Sequence, residues 1–362
     1  MASGTTGLAD GTSTARCRFG SARPRFVPVK VPDEKRPWMK IGLETESCHL
    51  LFQHGVMDLF GFIEFAAHRG LDGVQLNVIP DHNLHPRWGV LRGNEVDYLA
   101  RVKDALVRNH LYCEVDTRGT TAEGLAPALR VAHALGAGVV RSYVQYPLGR
   151  YDAAFMSSQA AEVRRLVPLL RNYNIRLAFE NHEYETSAEM IAFVREVDEL
   201  SWVGLLCDTG NSMMAWEEPL SAIRAMAPYA FSAHLKDHAV ISHAGQPMVC
   251  GMPLGRGSLD LDETFRILSQ YPLLHINLES CFPYCATFKR PPGTGDADSF
   301  RGAFAVVKAP FASTLVSPAQ YYYPHEASPE ALETLMECQR TELENSIALL
   351  KELRTKYGSP PI

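Results

Sequence analysis

The feature of this sequence that most constrains its fold is a regular alternation of short apolar segments with amphipathic ones, which runs from Lys40 to Cys281. The apolar segments are KIGLETES, GVQLNVI, LYCEVDT, VVRSYVQ, IRLAFENH, GLLCDTGN, FSAHLKDH and HINLESC. Helical patterns between them cover Leu59–Arg69, Glu95–Asn109, Ala122–Leu135, Ala153–Asn172, Ser187–Val197, Pro219–Ala227 and Leu261–Tyr271. Strands that alternate with crossover helices in this way pair in parallel.

The number of these strand-helix units selects between the two common parallel architectures. Eight units in about 240 residues predict a closed (β/α)8 barrel, a TIM barrel of the α/β class. An open doubly wound sheet typically has a glycine-rich phosphate turn after its first strand. The corresponding turn here, GLETESCHLLFQHG, has no G-x-G-x-x-G pattern. The barrel is therefore the predicted fold.

The segments that precede and follow the predicted barrel in the sequence differ from it in composition. Residues 1–38 are rich in Gly, Ser, Thr and Arg and predict a tail outside the core; a targeting segment and a natural start at Met39 are alternatives. Residues 39–281 form the predicted catalytic barrel. Residues 282–362 supply a long loop and a C-terminal helix, Pro329–Lys356, that we expect to pack on it. The loop segment Cys281–Ala327 is interpreted as a lid, a subunit contact in a homo-oligomer or a surface excursion.

The composition of the chain limits the classes of partner that it is expected to bind. The formal net charge is -6, which argues against nucleic acid as the ligand. No apolar run reaches the roughly 18 residues needed to cross a membrane. The eight cysteines include no C-x-x-C pair, which is typical of reduced thiols and predicts a cytoplasmic protein. We therefore expect a small molecule as the partner.

Four consecutive strand segments end in a residue that can bind a metal ion. These residues are Glu180, Asp208, His234 and Glu279. Each alone is typical of a solvated rim carboxylate or a hydrogen-bonded core histidine. One such residue per consecutive strand is different, because the carboxyl ends of barrel strands meet at a single face. Three oxygens and one nitrogen suit one divalent ion, Mn²⁺ first, with Mg²⁺, Co²⁺ or Zn²⁺ as alternatives.

The motifs around these residues resemble the xylose-isomerase-like TIM-barrel superfamily, which includes keto-sugar epimerases, dehydratases and decarboxylases of 3-oxo sugar acids. The matching motifs are FENH, CDTGN, HLKD, PLGRGSLD and LES. The resemblance implies that the four residues bind one metal ion and that Glu180 and Glu279 act as acid and base. Asn211 stands where the family's pattern usually has a His, and we expect it to contact substrate.

Other polar side chains near the strand ends are candidates for substrate contact or catalysis. Lys236 is predicted to donate to an enolate oxygen or hold a substrate carboxylate, with an ion pair as the alternative. His182 is predicted to contact substrate or act as an acid; support of a ligand is its alternative. Arg141, Glu46 and Arg256 are further predicted substrate contacts; Arg256 lies in the glycine-rich segment PLGRGS, which lacks the ending of a phosphate loop.

The resemblance implies a metal-dependent isomerase or epimerase of a keto sugar that acts through an enediolate, and the predicted metal site suits that chemistry. A lyase on the same scaffold (a decarboxylase, dehydratase or C-glycoside-cleaving enzyme) shares that intermediate and stays open. An AP endonuclease is disfavoured, because GVQLNVI and LYCEVDT supply no His and the net charge is negative.

Overall fold

The computed structural model describes residues 39–78, 95–310 and 326–358, together with the single residues 1, 317 and 324. Eight parallel strands close into a barrel in the spatial order β1-β10-β7-β6-β5-β4-β3-β2. The barrel strands are β1 (Lys40–Glu44), β2 (Gly73–Asn77), β3 (Tyr112–Asp116), β4 (Val139–Ser142), β5 (Arg176–Glu180), β6 (Val203–Asp208), β7 (Ala230–Leu235) and β10 (His275–Leu278). The predicted TIM barrel is confirmed.

Helices cover the outside of the barrel. Those within the described residues are α1 (His49–Gln53), α2 (Leu59–His68), α3 (Val96–Arg108), α4 (Ala122–Leu135), α5 (Ala153–Arg164), α6 (Val167–Tyr173), α7 (Ser187–Val197), α8 (Pro219–Met226), α9 (Leu261–Leu268) and α10 (Pro329–Tyr357). The single helix expected over 153–172 is two helices. Pro168 lies in the first turn of α6, where its missing N–H costs nothing, whereas inside a continuous helix it would clash with the preceding turn.

A small sheet that the sequence analysis did not predict lies beside the barrel. After β7 the chain forms a hairpin of β8 (Asp237–His243) and β9 (Gln246–Met252), joined by β11 (Cys285–Thr287) and β12 (Val306–Val307) in the order β11-β9-β8-β12. Ala244 and Gly245, between β8 and β9, both have positive φ, as a tight hairpin turn requires. FSAHLKDH therefore contains the end of β7 and the start of β8.

The C-terminal helix α10 packs against the barrel. Leu343, Ile347 and Leu350 are buried in the same apolar cluster as the outward-facing residues of the strands. Arg354 reinforces the contact, because its Nη1 lies 2.8 Å from Asp72 Oδ2. The predicted tail at 1–38 lies, apart from Met1, outside the described residues, as does much of the segment 311–325. In the part of the chain that is described, no helix is long and apolar enough to cross a membrane.

Candidate metal centre

The side chains of Glu180, Asp208, His234 and Glu279 meet at one end of the barrel. The first two end β5 and β6, His234 is the penultimate residue of β7, and Glu279 directly follows β10. One ligand atom from each lies within 4.8 Å of the others. All four are buried, with at most 3% of the residue exposed. Four parallel strands thus place their polar residues at the carboxyl-terminal face, where such barrels hold their active sites.

The distances within this cluster are those of ligands around a shared point. His234 Nδ1 lies 3.7 Å from Glu180 Oε1 and 3.7 Å from Asp208 Oδ2, and it contacts Glu279 Oε2 directly. Among the described residues, Asp208 Oδ2, His234 Nδ1 and Glu279 Oε2 form no well-aligned hydrogen bond, although a charged neighbour lies close to each of them. Buried polar atoms are rarely left this way unless an ion or water satisfies them. The residues therefore fit a divalent cation with three oxygens and one nitrogen.

Lys236 supplies positive charge beside the cluster. Its Nζ lies 3.0 Å from Asp208 Oδ2 and 3.0 Å from Glu279 Oε1. Burial alone would raise the pKa of Asp208, but the Lys236 ammonium holds it below its ordinary value. Burial opposes ionisation of Glu279 too, yet His234 and Lys236 keep its pKa well below the usual range. Both carboxylates are thus ionised at neutral pH, as metal ligands must be.

Arg141 joins this cluster to a further carboxylate. Its guanidinium forms ion pairs with Glu180 and with Asp116, which ends β3. Burial raises the pKa of Asp116 to about 6, and the charge of Arg141 opposes that rise. The sequence analysis did not identify Asp116, although LYCEVDT ends in a carboxylate in the same way as the four ligand strands. Arg141 therefore holds Glu180 from the side of β4.

Asn211 binds two of the candidate ligands. Its Nδ2 donates to Glu180 Oε1 at 2.9 Å, and its backbone N–H donates to Asp208 Oδ1 at 2.8 Å. Asn211 is thus within the site and orients two carboxylates. His182 lies two residues after Glu180, beyond the end of β5, and its ring stacks on Tyr143 with 3.9 Å between centroids. Burial lowers the pKa of His182, so its imidazole is neutral at pH 7.

Glu46 and Arg256, both predicted substrate contacts, have different surroundings. Glu46 lies near Glu279 and Cys281, and these three side chains form a second group whose ligand atoms lie within 4.8 Å of one another. Burial, followed by the charge of Glu279, raises the pKa of Glu46 to about 8. Arg256 lies on the outside, with its side chain 65% exposed and 4.0 Å from Glu342 of α10. The structure brings Glu46 to the cluster and leaves Arg256 at the surface.

The fold and the donor set together define a parallel barrel with a candidate divalent-cation centre at its carboxyl-terminal face. A family model described as a xylose isomerase-like TIM barrel matches residues 63–296. The chain belongs to this family.

Two curated relatives match about half of the chain. The uncharacterized protein YihM of Escherichia coli is 26% identical over 51% of this chain and 54% of its own length. The 3-oxo-isoapionate decarboxylase of Pectobacterium atrosepticum is 27% identical over 45% of this chain and 59% of its own. The chain thus spans little more than half the length of either relative.

Solved structures share the fold at lower identity. D-psicose 3-epimerase of Clostridium cellulolyticum with D-tagatose has a TM-score of 0.55 and 14% identity over 85% of this chain and 99% of its own. The IOLI protein with a zinc atom has a TM-score of 0.54 and 14% identity over 89% of this chain and all of its own. Enzymes and metal-bound structures thus share this barrel.

Proposed function

We propose that this protein is a divalent-metal-dependent isomerase or epimerase of a keto sugar or a related polyhydroxylated carbonyl compound. One observation carries the proposal. The ligand atoms of Glu180, Asp208, His234 and Glu279 lie within 4.8 Å of one another at the active-site face of the barrel. The resident ion is proposed to be Mn²⁺, with Mg²⁺, Co²⁺ and Zn²⁺ as the alternatives that the donor set allows.

The reaction requires stabilisation of negative charge on a substrate oxygen. A divalent ion held by the four ligands would supply Lewis acidity toward a carbonyl and its neighbouring hydroxyl. The chain's own groups would move the proton. Glu279 is ionised at neutral pH because His234 and Lys236 offset its burial, so its carboxylate is in the form that can accept a proton from carbon.

Glu180 is proposed as the partner of Glu279 in proton transfer. Arg141 and Asn211 fix both of its carboxylate oxygens, which leaves the carboxylate little rotational freedom. Glu180 ends β5 and Glu279 follows β10, with β6 and β7 between these strands in the barrel. Two carboxylates that reach the same point from separate strands can serve the two faces of one substrate carbon, as an epimerisation requires.

A decarboxylase is the second candidate, and Lys236 favours it. Its side chain is 95% buried, and its ammonium bridges two candidate ligands. Arg141 adds a second buried cation on the other side of Glu180. Both cations pair with protein carboxylates, and a substrate carboxylate would take the place of one of these partners. The Pectobacterium relative is a decarboxylase of a 3-oxo acid. Isomerase and decarboxylase share the enolate, so only the product separates them.

The test is metal analysis of the purified protein and of Glu180→Gln and His234→Ala variants, followed by NMR detection of deuterium exchange on a panel of keto sugars and 3-oxo sugar acids. We expect about one equivalent of metal in the wild type, loss of metal in His234→Ala, and exchange next to a carbonyl that Glu180→Gln abolishes. Release of CO₂ would identify the decarboxylase.

A matched control is Glu217→Gln. Glu217 is also a buried carboxylate, but it accepts its hydrogen bonds from Ser187, whose N–H lies 2.7 Å away. This variant should keep both the metal and the exchange activity. A wild-type protein that binds no divalent ion and folds like the His234→Ala variant would refute the proposed function.

A further inference from the structure

We propose that Gln75 and Glu114, buried in the interior of the barrel, are positioning residues that set the tautomer and orientation of the metal ligand His234. This inference rests on the proposed metal centre. It concerns residues on β2 and β3, which the sequence motifs do not include and which lie on the side of His234 away from the other candidate ligands.

A continuous set of hydrogen bonds runs from His234 toward the opposite end of the barrel. His234 Nε2 lies 2.7 Å from Gln75 Oε1, and Gln75 Nε2 donates to Glu114 Oε2 at 2.7 Å. Gln75 and Glu114 are completely buried. The amino-terminal half of the barrel interior, which many such barrels fill with branched apolar side chains, is polar here. A buried polar pair is costly unless each member is satisfied, so these contacts constrain one another strongly.

Glu114 is surrounded by donors. Its carboxylate oxygens receive His275 Nδ1 at 2.6 Å, Asn277 Nδ2 at 3.0 Å and Ser232 Oγ at 3.4 Å, besides the amide of Gln75. A carboxylate in this role only accepts hydrogen bonds. The Gln75 amide must therefore turn its N–H group toward Glu114 and its carbonyl oxygen toward His234.

This orientation decides which nitrogen of His234 carries the proton when a metal is bound. A carbonyl oxygen accepts only, so His234 Nε2 must be the N–H that donates to Gln75 Oε1. The lone pair is then on Nδ1, the nitrogen that lies 3.7 Å from Glu180 and from Asp208. Metal-bound histidines generally have their second nitrogen fixed by a hydrogen bond. Here the fixing group is an amide, and a carboxylate behind it determines which way the amide faces.

The residues of this network that lie furthest from His234 are also fixed by their neighbours. His275 stacks on Tyr112 with 3.6 Å between ring centroids, and Tyr112 donates to Asn277 Oδ1 at 2.7 Å. A side chain at residue 73 would overlap Tyr112, because a Cβ there would lie 2.2 Å from its ring. Gly73 thus leaves room for the tyrosine, and Glu114 has little freedom to move away from Gln75.

The test is Co²⁺ binding to the full chain, measured by competition with a chelator, with the Co²⁺ absorption spectrum recorded at saturation. Gln75→Leu removes the acceptor of His234 Nε2–H. Glu114→Gln leaves His234's own contacts in place but lets the Gln75 amide turn over. We expect each variant to bind Co²⁺ about 10- to 100-fold more weakly and with shifted absorption bands.

Ser232→Ala is the matched control. It removes one hydrogen bond to Glu114, but not the contact between Gln75 and His234. Its affinity should stay within about twofold of wild type, and its spectrum should be unchanged. In Zn²⁺-loaded wild type, ¹⁵N NMR should show the proton of His234 on Nε2.

The outcomes are distinct. If wild type binds Co²⁺ and the variants bind it equally well with the same spectrum, the positioning role is wrong and the metal centre stands. If wild type binds no Co²⁺, Zn²⁺ or Mn²⁺, the centre and the positioning role both fail. If Gln75→Leu does not fold, the nearly isosteric Glu114→Gln carries the test by itself.

Discussion

Replacement of Lys236 by Met should destabilise the metal-free protein by about 3–5 kcal/mol, the cost of removing one partner from a buried ion pair. The Lys236 ammonium lies 3.0 Å from an oxygen of Asp208 and 3.0 Å from one of Glu279. At an effective dielectric constant near 20, each contact represents about 5 kcal/mol of attraction, which desolvation of the three groups largely offsets. Methionine fills similar space but leaves two buried carboxylates without this cation.

The measurement is urea unfolding followed by circular dichroism, with EDTA and again with saturating Mn²⁺. A bound divalent ion would replace the lost positive charge, so the destabilisation should be smaller in Mn²⁺ than in EDTA. Lys289→Met is the control. Its ammonium pairs with one carboxylate, Glu183, at 3.1 Å and is 23% exposed, so its loss should cost about 1 kcal/mol or less. If the free energy of unfolding of Lys236→Met in EDTA is less than about 1 kcal/mol below that of wild type, the reasoning is refuted.

Three further changes test other parts of the structure. Burial raises the pKa of Glu185 to about 8, so the folded state binds this proton more tightly than the unfolded state, and the contribution of Glu185 to stability should fall as pH rises from about 4.5 to about 8. The free energy of unfolding of Glu185→Gln should lack this decrease, so the pH-dependent change should differ between the two proteins by up to about 4 kcal/mol at pH 8. The same pH dependence in wild type and variant would contradict the prediction. Leu350→Ala on α10 empties a fully buried site and should cost about 2–5 kcal/mol by urea unfolding; a smaller cost would mean that α10 is not part of the core. Gly73→Ala would drive a methyl group into Tyr112 and should lower the melting temperature or prevent folding, whereas an unchanged melting temperature would show that the ring can move.

The candidate ligands show how far the sequence alone reaches. Glu180, Asp208, His234 and Glu279 each follow an apolar segment of one strand length. Because the parallel strands of a closed barrel end at a common face, the residues at those ends must converge once the strand count is known. The barrel, the order of its strands and the convergence of these four side chains were therefore predictable from local pattern.

The surroundings of the ligands were not predictable in this way. Arg141 pairs with both Asp116 and Glu180 because β3, β4 and β5 are neighbours with a particular stagger, which the sequence does not encode locally. Gln75 reaches His234 across the barrel, since β2 and β7 are not paired with each other. The polar residues of GVQLNVI and LYCEVDT could not be given partners until the strands were closed.

Two further features differ from the sequence prediction. The hairpin of β8 and β9 is local, because two residues join its strands, but the predicted strand FSAHLKDH runs across the junction between β7 and β8 and so conceals where β8 begins. Arg256 was predicted to contact substrate from its glycine-rich neighbourhood, yet it faces α10 at the surface, and the prediction has no support from its position. Periodicity and strand ends determine which residues share a face, because they depend on local backbone geometry. Which side chains across that face bond to one another depends on register and stagger, and only the closed barrel decides these.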